Sequence, residues 1–215
     1  MATTWRWKVA QWAEIRWWEN YLKKKDKAEY AQWKSKYWTN LLGTLGDDFK
    51  VPEGASVLDA GCGPSGIFTI FPNQKVTAID PLLNQYTEKL DYFEKSEYPY
   101  VNFIFTGLEA YKATKEFDVV CCMNVINHVK DIEGSTDNLV NALKSEGQLL
   151  LTIDAHNYGF FKHIFRALPG DILHPHQYDL AEYETMLTKR GLKIVKTVLI
   201  QNAFFFDHYL ILAEK

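Results

Sequence analysis

The chain has 215 residues with a formal net charge of −3, of which 47% are hydrophobic and 24% charged. This length suits one α/β domain with an appendage, and the composition argues against a disordered or fibrous protein. The slight acidity disfavours a general nucleic-acid binder, and no signal-peptide pattern or run of about 18 apolar residues occurs, so we expect a cytoplasmic protein that does not bind membranes.

The first 38 residues contain all seven tryptophans, interleaved with charged residues at helical spacing. Gly43, Gly46 and Pro52 then interrupt the helical pattern. We therefore predict a Trp-rich helical cap over residues 1–45 and a main domain over residues 46–215. The tryptophans are expected either to close over a substrate and exclude water, or to bury area within the cap or against a second copy of the chain in a homodimer.

The main domain alternates apolar strands with helices, which predicts an α/β fold with a parallel sheet and helices on both faces. Its end departs from this alternation, because two strands follow a helix over Leu180–Arg190 with only a short connection, which predicts an antiparallel hairpin. Asp179, Glu182 and Gly191 mark that helix with a capping box and a final glycine. The predicted strands are Ala55–Ala60, Lys75–Asp80, Val101–Thr106, Phe117–Met123, Gln148–Ile153, Leu192–Ile200 and Phe204–Ala213, with further helices over Leu82–Lys95 and around Asp137–Lys144.

A glycine turn follows the first strand, where residues 57–66 read VLDAGCGPSG and contain the spacing G-x-G-x-x-G. Several nucleotide-binding folds share this spacing. Asp59 precedes the turn, where a dinucleotide pyrophosphate about 4 Å away would be repelled by about 1–4 kcal/mol. Asp80 ends the next strand, closer to the turn than the about 20 residues of the dinucleotide fingerprint.

The two acids therefore favour S-adenosylmethionine, whose sulfonium and ammonium are cationic and whose ribose offers hydroxyls to Asp80. The alternative is that the glycines only form a tight turn and that Asp59 and Asp80 cap helices.

The same segments resemble the class I S-adenosylmethionine-dependent methyltransferases. VLDAGCGPSG is similar to their first motif, VTAID (residues 76–80) to their second, FDVVCCMNVINHV (117–129) to their fourth and GQLLLTID (147–154) to their fifth strand. The family implies a Rossmann-like seven-stranded sheet, parallel except for an antiparallel C-terminal hairpin. Leu108 and Glu109 stand where the family often has an aspartate that contacts adenine. The cofactor contacts that the resemblance implies are Asp59, Gly61, Cys62, Gly63, Asp80, Leu82, Leu108, Glu109, Met123 and Asn124.

Three histidines are candidates for the base that a hydroxyl acceptor requires, because neutral imidazole accepts a proton near pH 7. His128 follows the fourth strand, and its alternative is a packing or capping role. His174 and His176 lie at i and i+2, so an extended backbone points both to one side, as substrate contacts or as part of an ordered loop. With Asp154 or Asp171 they could hold a divalent metal, but the set forms no specific signature, and we predict none.

The resemblance implies an enzyme that moves a methyl group to an O, N or C atom of a small metabolite, such as a sugar or a natural-product intermediate. An apolar helical face within residues 157–168 roofs the acceptor pocket, packs in the core or touches a membrane surface, the last disfavoured by its few basic residues. The alternative function is a catalytically inactive cofactor-binding regulatory protein of the same fold, and an NAD-dependent oxidoreductase is a third hypothesis.

Overall fold

The structure is a computed structural model that describes residues 5–156, 178–204 and 206–215. Its centre is a seven-stranded sheet with the order β3-β2-β1-β4-β5-β7-β6. The strands are β1 (Ser56–Ala60), β2 (Lys75–Asp80), β3 (Val101–Phe105), β4 (Phe117–Cys122), β5 (Leu143–His156), β6 (Lys193–Gln201) and β7 (Phe206–Glu214). The described helices are α1 (Trp5–Leu22), α2 (Lys27–Gly43), α3 (Leu83–Lys89), α4 (Ile132–Ala142) and α5 (Leu180–Thr188).

The strand directions confirm the predicted fold class. β7 lies between β5 and β6 and runs antiparallel to both, while β1 to β5 pair in parallel. The parallel strands place their carboxyl ends at one edge of the sheet, which is where ligands bind in folds of this kind. None of the described helices combines the length and the apolar character that crossing a membrane requires.

Alternate residues of the central strands belong to two apolar clusters, one on each face of the sheet. Val57 and Val119 belong to the cluster that the N-terminal helices and α3 cover. Leu58 and Val120 belong to the cluster on the other face, under α4 and α5. This alternation follows from the period of two in a strand, and burial on both faces explains why these strands are apolar throughout.

The N-terminal helices share a core with the sheet. Trp38, Leu41 and Leu45 are buried in the same cluster as residues of β1 and β4. The Trp38 indole also donates a hydrogen bond to the carbonyl of Ser65, 3.1 Å away in the glycine turn. The division at residue 45 stays a prediction, but α2 contributes directly to the core of the main domain.

The described tryptophans differ in burial. Trp38 is 6% exposed, and Trp18 is half-buried. Trp12, Trp17 and Trp33 are each more than half exposed, so they do not pack in the core of this chain. Burial in the cap thus accounts for Trp38 but not for these three.

Two predicted helices have different bounds in the structure. The helix expected over Leu82–Lys95 ends at Lys89. The helix expected around Asp137–Lys144 begins at Ile132, because the Asp131 side chain accepts a hydrogen bond from the backbone of Gly134 and caps it. It ends before β5, so the chain passes from helix to strand without a loop. Glycine and serine in its first turns weaken the helical signal in the sequence.

The last helix agrees with its predicted start. The Asp179 side chain accepts from the Glu182 backbone at 2.9 Å, and Glu182 accepts from the Asp179 backbone at 2.9 Å. The capping box is therefore complete.

We expect Trp38→Ala to lower the free energy of unfolding by about 3–5 kcal/mol, because it removes a large buried side chain between α2 and the sheet. Urea unfolding followed by circular dichroism measures this change. The control is Trp33→Ala on the same helix, whose exposed side chain should contribute less than about 1 kcal/mol. Equal effects of the two variants would contradict the packing of α2 as part of the main core.

Candidate active site

The glycine turn connects β1 to the edge of the sheet where the parallel strands end. The backbone N–H groups of Gly61 and Cys62 both donate to the carbonyl of Ile79 in β2, at 2.8 and 3.0 Å. Gly61 has φ +77°, and a Cβ there would lie 2.3 Å from the Val125 side chain. Only glycine therefore fits between this turn and the segment that follows β4.

Asp59 is buried beneath this turn. Its Oδ2 accepts a hydrogen bond from the backbone of Phe68 at 3.0 Å. A Cβ on Gly66 would lie 2.4 Å from the same oxygen, so the chain passes close to the carboxylate. Asp59 thus helps to hold the short helical turn that follows the glycines.

Asp80 joins the end of β2 to the glycine turn. Its Oδ1 accepts from the Leu82 backbone at 2.7 Å and its Oδ2 from the Gly63 backbone at 3.0 Å. The side chain is 6% exposed, and Leu82 beside it is 1% exposed. Four of the predicted cofactor residues, Gly61, Cys62, Gly63 and Asp80, thus lie together at one edge of the sheet.

Burial dominates the electrostatics of the two acids. It raises the pKa of Asp59 from 3.8 to about 7, although hydrogen bonds from Phe68 and Ile67 and the charge of Lys34 act in the opposite direction. It raises the pKa of Asp80 to about 7 as well, and the nearby Glu14 carboxylate adds to the effect. The pKa of the Cys62 thiol is also raised by burial, so this buried thiol stays neutral.

This arrangement suits a cationic ligand. Within the described ranges neither Asp59 nor Asp80 forms an ion pair, so two carboxyl groups share a buried region without a bound counter-charge. A sulfonium and an ammonium would favour their ionised forms, whereas a pyrophosphate would oppose them. A Cβ on Gly63 would meet only Trp18, at 4.0 Å, so this part of the backbone is open to close approach. The residues present therefore fit S-adenosylmethionine.

The other predicted cofactor residues lie on the loops after β3 and β4. The carbonyls of Leu108 and Glu109 accept from the Asn138 side chain of α4, at 2.8 and 3.3 Å. Met123 is buried at the end of β4. Asn124 follows it with φ +61°, and its backbone donates to Thr152 Oγ1 at 2.6 Å.

A cavity of about 600 Å³ opens beside Asn124. Lys34, Tyr37 and Trp38 of α2 form one part of its wall. The opposite part comes from the ends of β5, β6 and β7 and the segment after β4, through Asn124, Asn127, Thr152, Asp154, Ile200, Gln201, Ala203, Phe206 and His208. Apolar rings and a few polar groups are thus combined, as in pockets that bind small molecules.

A histidine and an aspartate are paired on this wall. Asp154 of β5 and His208 of β7 are direct partners in the antiparallel register, so their side chains lie on the same face. His208 Nδ1 lies 2.7 Å from Asp154 Oδ1. Asn127 holds the Asp154 backbone, donating to its carbonyl at 2.9 Å and accepting from its N–H at 3.3 Å.

The structure describes one of the three predicted histidines. His128 is half-buried in the turn after β4, where its backbone donates to Val125, and it is not among the described residues that line the cavity. His174, His176 and the predicted apolar face within residues 157–168 lie outside the described residues. Within the described part of the chain, no three metal-binding side chains are grouped as a metal site would require.

Sequence reasoning missed His208, Asn127 and Lys34. The sequence indicates Asp154 only as a possible metal ligand beside His174 and His176. The usable signal for His208 was its position in the predicted last strand, because an antiparallel partner of β5 must bring one of its residues opposite Asp154. Lys34 carried no local signal, since helical spacing alone does not show which side of α2 faces the sheet.

Comparison with known proteins agrees with this geometry. Residues 28–197 match a family described as a methyltransferase domain. The ubiquinone biosynthesis O-methyltransferase of Rickettsia bellii is 34% identical over 98 residues, which make up 45% of this chain and 40% of that protein. The chain thus spans about two-fifths of the length of the curated relatives that it matches.

Solved structures show the same fold. A Listeria monocytogenes protein assigned to the S-adenosylmethionine-dependent methyltransferases has a TM-score of 0.64 and 18% identity, with 83% of this chain and 97% of that chain covered. The N-methyltransferase NodS of Bradyrhizobium japonicum has a TM-score of 0.61 and 17% identity, with 83% and 94% covered. At these identities the likeness concerns the fold alone.

We expect Gly61→Ala to weaken binding of S-adenosylhomocysteine by at least about tenfold, because the added Cβ collides with Val125 and the positive φ strains any other residue. Calorimetry measures the dissociation constant. Gly43→Ala is the matched control, since its Cβ would meet nothing within 4 Å. The double variant Gly61→Ala/Val125→Ala, in which the Val125 side chain is shortened, should recover part of the affinity for S-adenosylhomocysteine. Wild-type affinity in the single variant would refute this account of the turn.

The stability of the ligand-free protein should fall as the pH rises from about 5.5 to about 7.5. In the folded state Asp59 and Asp80 stay protonated up to about pH 7, whereas in the unfolded chain they ionise near 3.8. Each protonated group therefore makes its full contribution to stability below pH 3.8. Above that pH, the free energy of unfolding falls by up to about 1.4 kcal/mol per pH unit and per group, until the pH passes the pKa of the folded state.

Urea unfolding at the two pH values tests this dependence. Asp80→Asn should reduce the slope, because the amide does not titrate. Asp47→Asn is the control, since this carboxylate is almost fully exposed and its ion pair with Lys50 lies at the surface. A slope unchanged by Asp80→Asn would show that the buried carboxyl is not the titrating group.

Proposed function

The chain belongs to the methyltransferase domain family and its cofactor is S-adenosylmethionine, and from this premise we propose that it methylates a hydroxyl oxygen of a small metabolite. The observation that carries the proposal is the pair of His208 and Asp154 on the wall of the cavity. When bound, the cofactor supplies an electrophilic methyl group on its sulfonium. The chain has to hold the acceptor, exclude water and take up one proton.

The glycine turn and the two acids are the proposed cofactor site. Asp59 and residues 61–63 would hold the methionine part, and Asp80 with Leu82 would hold the ribose. Leu108 and Glu109 would border the base, and Met123 and Asn124 the region of the sulfonium. This assignment is supported by the shared location of these residues at the carboxyl ends of β1 to β4.

His208 is the proposed base. In the tautomer with its proton on Nδ1, the ring donates to Asp154 and leaves Nε2 to accept the proton of an acceptor hydroxyl. Asp154 fixes this tautomer and stabilises the imidazolium that forms, and Asn127 in turn holds the Asp154 backbone. A base matters for an oxygen acceptor because a neutral hydroxyl is a weak nucleophile.

The cavity supports a small acceptor. Its volume of about 600 Å³ lies within the about 300–1,000 Å³ of small-molecule sites. Tyr37, Trp38 and Phe206 offer apolar ring surfaces, and Asn124 and Gln201 offer hydrogen bonds. These walls suit a ring that carries hydroxyl groups, and the curated relatives named as O-methyltransferases favour oxygen as the acceptor atom.

Turnover assays with radiolabelled S-adenosylmethionine and a panel of catechols, hydroxybenzoates and sugars test the proposal. With the best acceptor, His208→Gln should lower kcat by about 10²–10⁴ while S-adenosylhomocysteine binding stays within about twofold of wild type. Asp154→Asn should act in the same direction, because it removes the acceptor that orients the ring.

His128→Gln is the matched control, and it also separates the two candidate bases. Turnover that survives in His208→Gln but is lost in His128→Gln would return the role to His128. Methylation of amines alone, unaffected by His208→Gln, would overturn the proposed oxygen chemistry.

A further inference from the structure

Lys34 presents a positive charge to the cavity from the N-terminal helices. Its Nζ lies 4.4 Å from the ring centroid of Trp38, 4.8 Å from that of Tyr37 and 5.9 Å from that of Trp33. Within the described ranges the ammonium has no ion pair and no hydrogen bond, and its residue lines the cavity. The aromatic rings compensate for part of the hydration that the Lys34 ammonium loses on burial. A half-buried ammonium beside a cavity is nevertheless suited to an anionic partner.

The position of Lys34 relative to the glycine turn is set by Trp38. Trp38 follows Lys34 by one helical turn and donates to Ser65 within the glycine turn. Lys34 and Asp59 are close enough to influence each other, since the Asp59 charge raises the pKa of Lys34 and the Lys34 charge lowers that of Asp59. Burial nevertheless dominates and lowers the pKa of Lys34 to about 8. A negative and a positive group therefore lie near the same turn.

The charge pattern matches an amino-acid group. The methionine end of the cofactor carries an α-ammonium and an α-carboxylate, and the glycine turn is its proposed binding site. With Asp59 near the ammonium, the carboxylate needs a cation, and Lys34 is the one lysine or arginine among the described residues that line the cavity. Asp154 lines the same cavity from the strands, where it pairs with His208.

We propose that Lys34 binds the α-carboxylate of S-adenosylmethionine, so that the Trp-rich helices complete the cofactor site. The inference rests on the cofactor in the proposed function and not on the acceptor. It gives α2 a direct part in ligand binding beyond its packing in the core.

A comparison of two ligands tests the assignment. S-adenosylhomocysteine carries the carboxylate, and S-adenosyl-3-thiopropylamine lacks only that group. Lys34→Met keeps the length of the side chain against Trp38 and removes its charge. Calorimetry should show that this variant binds S-adenosylhomocysteine at least about tenfold more weakly than wild type, and the thiopropylamine within about twofold of wild type.

Binding of the thiopropylamine also reports that the variant is folded, and Lys34→Gln provides a second neutral variant. Lys36→Met, exposed on the same helix, is the control and should leave both affinities unchanged. Equal weakening of both ligands, or no weakening of either, would overturn the proposal. Because no turnover is measured, failure of the proposed hydroxyl methylation would leave this result intact.

Discussion

Two buried carboxyl groups set the architecture of the ligand edge. Asp59 and Asp80 accept backbone hydrogen bonds from the turns that follow β1 and β2, and this holds the glycine turn against the sheet. Burial makes their ionisation costly, which raises both pKa values to about 7. A cationic ligand would relieve that cost, so the contacts that shape the turn also make this edge suited to a cationic cofactor.

Three parts of the chain that are distant in sequence meet above this edge. α2 brings Lys34 and two aromatic rings, the segment after β4 brings Asn124 and Asn127, and the antiparallel strand β7 brings His208 beside Asp154. The insertion of β7 between β5 and β6 therefore determines that His208 lies opposite Asp154. In a sheet continued by a parallel strand at that place, a different side chain would stand opposite Asp154.

The N-terminal helices show how far a boundary in sequence can differ from one in space. The change in composition near residue 45 is real, because all seven tryptophans precede it. Trp38, Leu41 and Leu45 nevertheless pack in the same cluster as the central strands, and Lys34 lines the cavity. The composition of a segment shows which residue types it contains. Whether two segments share a core depends on which of their faces pack against each other.

The sequence by itself determined the fold class, the glycine turn and the identity of the cofactor. These depend on local signals: the period of two, the backbone freedom of Gly61 and the charges of Asp59 and Asp80 at strand ends. The contact between His208 and Asp154 and the position of Lys34 on the cavity wall were decided only by the tertiary structure. His208 lies 54 residues from Asp154 along the chain, and Lys34 lies on a helix whose facing side the sequence does not show. Contacts of this kind arise from strand register and helix packing, which no local pattern encodes.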